Sequence, residues 1–233
     1  MEKYFDKIYC INLKHRQDRW FESLEVFEKL GINDVERFDA YYIQPGIIGC
    51  TKSHYELVKL AKKNKYKNIL IFEDDVKILR DDANDIISNC MKQIEKHDID
   101  YDMLYLGGNV VGDESLSYRI DDNLASIHMC KTTHAYAIGS SAYDYIIDAY
   151  DNLDWDDDWN WSQSNPNRYN IDKWYTDNLQ RRNKTYGVYP CLAEQRDSFS
   201  DLMNTMSIFS MYEKYNRILE KVNKWFLVNY QEV

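Results

Sequence analysis

A chain of 233 residues, 44% hydrophobic and 15% aromatic, suits one domain with a sizeable core and is not a disordered composition. Its 29 basic residues against 39 acidic ones leave a net charge of −10, which argues against a nucleic-acid phosphate lattice as partner. The five scattered cysteines, odd in number and without CxxC spacing, argue for free thiols in a reducing compartment and against a disulfide scaffold or a zinc site.

The charged start Met1–Lys7 lacks the apolar run of a signal peptide, and no stretch approaches the roughly twenty apolar residues of a membrane span. The expectation is a soluble, cytoplasmic protein. Ile8–Leu13 predicts a first strand. A polar loop with Arg16 then leads into a helix, with Asp18 placed to cap it and Gly31 to close it. Trp20, Leu24, Phe27 and Leu30 recur at helical spacing and predict its inner face. Arg16 and Arg19 stand where cations oppose the helix dipole, a placement that an anionic ligand at the strand tip would relieve.

Val35–Phe38 predicts a short second strand ending at Asp39-Ala40, and a loop with Pro45 and Gly46 follows. Ile47–His54 opens a helix that runs through Leu60 and Ala61 and ends in basic residues, as suits a helix C-terminus. Ser53 and His54 on it either face a ligand or satisfy a core hydrogen bond, and a single histidine more often does the latter.

After Asn68, Ile69-Leu70-Ile71-Phe72 is a continuous apolar run, the habit of a parallel strand covered on both faces, and it leads straight into Glu73-Asp74-Asp75. Three like charges at a buried strand tip call for a positive partner. A hard divalent cation fits, because Mg²⁺ and Mn²⁺ take carboxylate oxygens and share them with phosphates. Strand alternation puts Glu73 and Asp75 on one side and Asp74 on the other. The plainer reading is a solvated acidic turn.

A helix from Asp81 or Asp82 through Ile94 is followed by a strand at Met103–Leu106, and Gly107-Gly108 after it permit close backbone approach to a ligand or simply a turn. Leu124–Met129 and Thr133–Ile138 predict two further strands, and Tyr143–Tyr150 a helix. The unit order βαβαβαβ means a Rossmann-like, mostly parallel α/β sheet flanked by helices, with ligands at the carboxyl ends of the strands. The acidic, tryptophan-rich stretch Asp154–Trp161 reads either as a sugar platform or as core plugs beside a solvated rim. Asn170–Tyr175 predicts a helix entry, Tyr186–Tyr189 a late strand, and residues 190–201 loop. Ile208, Met211, Tyr215, Ile218, Val222 and Trp225 form the stripe of a C-terminal amphipathic helix, which packs on its own domain or, less favoured, mediates a homodimer or docks to a membrane surface. No internal repeat or low-complexity linker divides the chain. Residues 1–233 are expected to form a single domain, with 203–233 as a helical extension.

In this order, these stretches resemble glycosyltransferase family 25, the lipooligosaccharide and procollagen β-galactosyltransferase family. The resemblance is carried by Ile11-Asn12-Leu13 with Arg16 and Arg19, Phe38-Asp39-Ala40, Gly49-Cys50-Thr51-Lys52-Ser53-His54 and Leu70–Val76. It continues with Leu106-Gly107-Gly108, Thr133–Ile138, Ile171–Tyr175 and Ser200-Asp201. It implies a GT-A-type fold, a UDP-sugar donor, inversion at the anomeric carbon, and a glycan or glycoprotein acceptor. Galactose is the favoured sugar and glucose the next.

The resemblance places Glu73 and Asp75 as ligands of Mn²⁺ (or Mg²⁺), with Asp74 beside them at the donor. It also places Asn12, Arg16, Arg19 and Asp39 in the nucleotide-binding segments. Asp172 matches an acidic position of the acceptor half and is the expected catalytic base, with Asp177 and Asp156–Asp158 as rivals. His54 or His134 could add a metal or phosphate contact. Two departures stand out: a short loop between Ala40 and Gly46, and Lys173 where relatives often carry an aromatic residue. A nucleotide-sugar-binding protein with a decayed site, and a metal-dependent phosphohydrolase or nucleotidyltransferase using the same triplet, remain open.

Overall fold

The computed structural model describes residues 1–153, 155, 169–196, 199–200, 205–206 and 212–220. The expected acidic tryptophan stretch apart from Trp155, Asp201, and Ile208, Met211, Val222 and Trp225 of the stripe lie outside the described residues.

The chain begins with β1 (Lys7–Asn12), α1 (Gln17–Lys29), β2 (Val35–Asp39), α2 (Gly46–Lys63) and β3 (Asn68–Glu73). Then come β4 (Val76–Ile78), α3 (Ala83–Lys96), β5 (Met103–Tyr105), β6 (Asn109–Val110), β7 (Tyr118–Asp121) and β8 (Leu124–Ser126). β9 (Cys130–Lys131), β10 (Ala135–Gly139), α4 (Tyr143–Tyr150), α5 (Ile171–Asp177) and β11 (Thr185–Val188) follow. The last described elements are β12 (Ala193–Gln195), β13 (Phe199–Ser200), β14 (Thr205–Met206) and α6 (Tyr212–Leu219).

The main sheet has eight strands in the order β2-β1-β3-β10-β5-β11-β8-β7. β2, β1 and β3 pair in parallel, as do β5 and β11, while β10 runs against both β3 and β5. With β8 also reversed against β11 and β7, six of the eight strands share one direction. This is the mostly parallel α/β sheet that the order of elements implies. The insertion of a reversed β10 at its centre was not visible in the element order.

Alternation along the strands divides the core between the two faces of the sheet. Tyr9, Ile69, Ile71, Tyr105 and Tyr136 pack with residues of α2, α4, α5 and α6 on one side. Cys10, Leu70, Phe72, Leu104 and Ala137 pack with α1 and α3 on the other. The unbroken apolar run of β3 is therefore covered twice, as its pattern requires.

Local departures have local causes. Asp18 lies in the first turn of α1, and Arg16 occupies the N-cap. The buried side of that helix carries Arg19, Ser23 and Phe27, while Leu24 is 41% exposed. The helix is turned because Arg19 has a partner inside. Leu124–Met129 shortens to β8, which forms a hairpin with β7. Residues 193–195 are a strand, not loop, and pair antiparallel with β4. On α6, Tyr215, Ile218 and Leu219 are buried in the chain's own core, and the Tyr215 hydroxyl donates to Val188 O at 2.9 Å. Among the described residues no helix is long and apolar enough to cross a membrane.

Candidate active site

A cavity of about 570 Å³ opens beside the carboxyl ends of β1 and β3, where an open α/β sheet places its ligands. Asn12, Arg19, Ser53, His54, Glu73, Asp74, Asp75 and Asp172 all line it. Residues from five separate expected elements thus converge on one space.

The triplet divides its work. β3 stops at Glu73 and the chain turns, so Asp74 faces inward toward α1. Its carboxylate accepts from Arg19 Nη1 and Asn12 Nδ2, each at 2.6 Å. Ser23 Oγ donates to Arg19 O at 2.9 Å and lies 3.3 Å from Asp74 O, which sews α1 to the turn. Asp74, Asn12 and Arg19 therefore brace the corner as well as border the cavity.

Glu73 Oε1 accepts from Thr133 Oγ1 and lies 3.2 Å from His54 Nε2. Burial pushes its carboxyl up, but the hydrogen bond and charge of His54 outweigh that and hold it below its ordinary value. His54 itself is fully buried, and its Nδ1 lies 2.7 Å from the Tyr136 hydroxyl. Ser53 Oγ donates to Gly49 O at 2.7 Å and accepts from Tyr41 N at 2.9 Å, so it pins the cavity rim to α2.

Asp75 differs from both neighbours. Among the described residues its buried Oδ1 has no hydrogen-bond partner, and Oδ2 has only Gln195 Nε2 at 3.5 Å. Burial, then the charges of Glu73 and Asp74, raise its carboxyl to about 7. Asp172, in the first turn of α5, is hydrogen-bonded by the Thr132 backbone and the Thr133 side chain, but its buried Oδ1 has no partner among the described residues. Burial, then the charge of Glu73, raises it to about 6. Asp172 is positioned by two anchors. Asn170 caps α5 by accepting from Lys173 N at 3.1 Å, and Thr51 Oγ1 on α2 donates to Tyr169 O at 2.6 Å and accepts from Ile171 N at 3.2 Å. Thr132, also on the wall, has φ +75, a conformation rare for a β-branched residue.

Other expected residues lie elsewhere. Arg16 turns to Asp18 at 2.8 Å, and the exposed Asp39 ends β2 with Arg37 at 3.9 Å. Gly107 and Gly108 do not line the cavity. A Cβ on them would stand 1.9 Å from Ala193 O and 2.4 Å from Cys130 Sγ, so the close approach they permit is to the chain itself. His134 is buried with Nε2 3.1 Å from Ala193 O, away from the cavity, and Asp177 pairs with Lys173 at 2.7 Å. Asp156–Asp158 lie outside the described residues. Sequence reasoning passed over Thr133, Tyr136 and Gln195 as functional positions. Thr133 sits on a stretch quoted for the resemblance, whereas nothing in residues 190–195 signals that Gln195 belongs to a strand beside the triplet.

Residues 43–135, which hold Cys50, His54, the triplet and Thr133, match the family model described as Glycosyltransferase family 25 (LPS biosynthesis protein). This segment, under half of the chain, is similar to glycosyltransferase family 25. Among similar proteins, a Glycosyltransferase 25 family member of Drosophila melanogaster is 27% identical over 141 residues, covering 47% of this chain and 22% of that protein. Procollagen galactosyltransferase 2 of Mus musculus is 26% identical over 130 residues, covering 44% and 21%. Inactive glycosyltransferase 25 family member 3 of Homo sapiens is 23% identical over 137 residues, covering 47% and 23%. The matched segment therefore spans less than a quarter of each family relative. Among solved structures, A197 from STIV aligns with a TM-score of 0.45 at 12% identity, over 88% of this chain and 94% of that one. A glycosyltransferase involved in glycosylation of the major capsid of PBCV-1 aligns with a TM-score of 0.39 at 11% identity, over 73% and 72%.

Proposed function

We propose that the protein is an inverting glycosyltransferase that moves a hexose from a UDP-sugar to a hydroxyl of a glycan or glycoprotein, with galactose favoured and glucose next. One observation carries this reading: two carboxylates, Asp75 and Asp172, border the same cavity, each with a buried oxygen that no group among the described residues satisfies. A buried polar atom left unpaired calls for a cause, and a bound ion or substrate group is one.

Asp75 fits Mn²⁺ or Mg²⁺, being a hard oxygen donor with a free buried lone pair, and Glu73 stands beside it. An ion bound there would neutralise charge gathering on the departing nucleoside diphosphate. Asp172 takes the acceptor hydroxyl's proton as that oxygen attacks the anomeric carbon. The bond from carbon to phosphate oxygen breaks, and its electron pair leaves with UDP. A carboxyl raised to about 6 is a base matched to neutral conditions.

A second reading, a nucleotide-sugar binder without turnover, draws support from the human relative named inactive. Incubation with Mn²⁺ and a panel of UDP- and GDP-sugars separates the possibilities. Slow release of free sugar with UDP supports the transferase. Protection against melting without turnover supports the binder. Release of phosphate or pyrophosphate points instead to a phosphohydrolase or nucleotidyltransferase.

A further inference from the structure

Cys50 and His54 sit four residues apart on one face of α2, and Glu73 approaches them from the end of β3. One ligand atom from each, the Cys50 sulfur, a His54 ring nitrogen and a Glu73 carboxylate oxygen, all lie within 4.8 Å of one another. We propose that these three residues form a binding site for a borderline-soft divalent transition metal, zinc before others, separate from any hard cation held at Asp75.

The spacing is close to what such an ion needs. Bond lengths of about 2.0–2.3 Å in a tetrahedral site hold ligand atoms roughly 3.3–3.6 Å apart. His54 Nε2 and Glu73 Oε1 are already 3.2 Å apart, and the Cys50 sulfur is within a side-chain adjustment of both. The surroundings have the character of a ligand's support. His54 Nδ1 faces the Tyr136 hydroxyl at 2.7 Å, and that hydroxyl lies 3.4 Å from the Tyr175 hydroxyl. With the Nδ1 proton given to Tyr136, the Nε2 lone pair points at a carboxylate, and something positive must lie between them: a proton or a metal ion. Outer hydrogen bonds of this kind fix the tautomer of metal-bound histidines. Thr133 does the same for the carboxylate through Oε1.

The donor set decides the ion. A thiolate, an imidazole and one carboxylate select zinc-like metals over Mg²⁺ and Mn²⁺, which prefer all-oxygen sites. Because Cys50, His54 and Glu73 all border the cavity, a fourth position stays open to water or ligand. No cysteine spacing signals the site, because its third ligand comes from a strand nineteen residues further on than His54.

The test is titration of the full chain with Co²⁺ and Zn²⁺ in the absence of sugar nucleotide, so glycosyl transfer can fail without touching the result. Co²⁺ should give a thiolate-to-cobalt charge-transfer band that Zn²⁺ abolishes by competition. Cys50→Ser, close to isosteric, should lose the band and weaken zinc binding about tenfold or more against a chromogenic chelator. Tyr136→Phe should weaken it about tenfold while keeping the band. Circular dichroism of each variant guards against misfolding. Cobalt bound without a sulfur band, no binding, or equal zinc affinity in Cys50→Ser would each overturn the proposal.

Discussion

Arg19 Nη1 lies 2.6 Å from the Asp74 carboxylate, and both side chains are about nine-tenths buried. This pair joins the start of α1 to the turn after β3 and sets the wall of the cavity. Removing one member takes from the other, a largely buried charge, its ion-pair partner, so Arg19→Ala or Asp74→Ala should cost about 3–5 kcal/mol. Urea unfolding should show a lower midpoint for each single variant. A double replacement by apolar residues should recover much of the loss.

Gly49 tests how tightly α2 meets the rim. Ala in place of Gly inside a helix ordinarily gains about 1 kcal/mol. Here the new Cβ would stand 2.2 Å from Tyr41 O, a backbone atom that can move only with the loop it belongs to. Gly49→Ala should therefore destabilise, by roughly 1–3 kcal/mol of overpacking, and weaken any ligand that rests on residues 41–47. Thermal unfolding with and without nucleotide sugar checks both effects.

Asp172→Asn keeps the shape of the side chain and removes the proposed base. Turnover should fall by about 10²–10⁴-fold, the usual contribution of one positioned acid or base, while the donor dissociation constant moves little. Equal loss in donor binding would place Asp172 in donor recognition instead of proton transfer. Product formation and equilibrium binding, measured on the same preparation, distinguish the two.

Acid sensitivity should come partly from a carboxylate far from the cavity. Burial alone would raise Asp121, but Lys96 at 2.8 Å, His97 at 2.9 Å and a backbone amide outweigh it and bring it to about 2. The unfolded group titrates near 3.8, so the contribution is fully present above that value and is lost as pH falls toward 2. Allowing for screening, it is worth about 1–2 kcal/mol. Asp121→Asn should be less stable at neutral pH, and its stability should change less between pH 4 and about 2 than that of the natural chain, as read by denaturant midpoints across pH.

The amino-acid order alone determined what depends on near neighbours. Four apolar residues before Glu73 specify a strand buried on both faces, helical spacing specifies α2 and α3, and the carboxylates fall at the strand's end because the apolar run does. Eight of the twelve expected site residues line one cavity for the same reason: strand ends and helix starts gather at one edge of an α/β sheet. What only the tertiary structure decided depends on partners remote in the chain. Asp74 became a brace because Arg19, 55 residues earlier, reaches it. Gly107 and Gly108 serve packing because Ala193 and Cys130 come to rest against them. Cys50 and His54 share a face of α2 by spacing alone, but Glu73 joined them only through the tertiary fold. Composition and spacing record which groups a chain carries, whereas a buried charge acquires its role from whatever the fold sets next to it, since burial strips away the water that would otherwise make neighbours interchangeable.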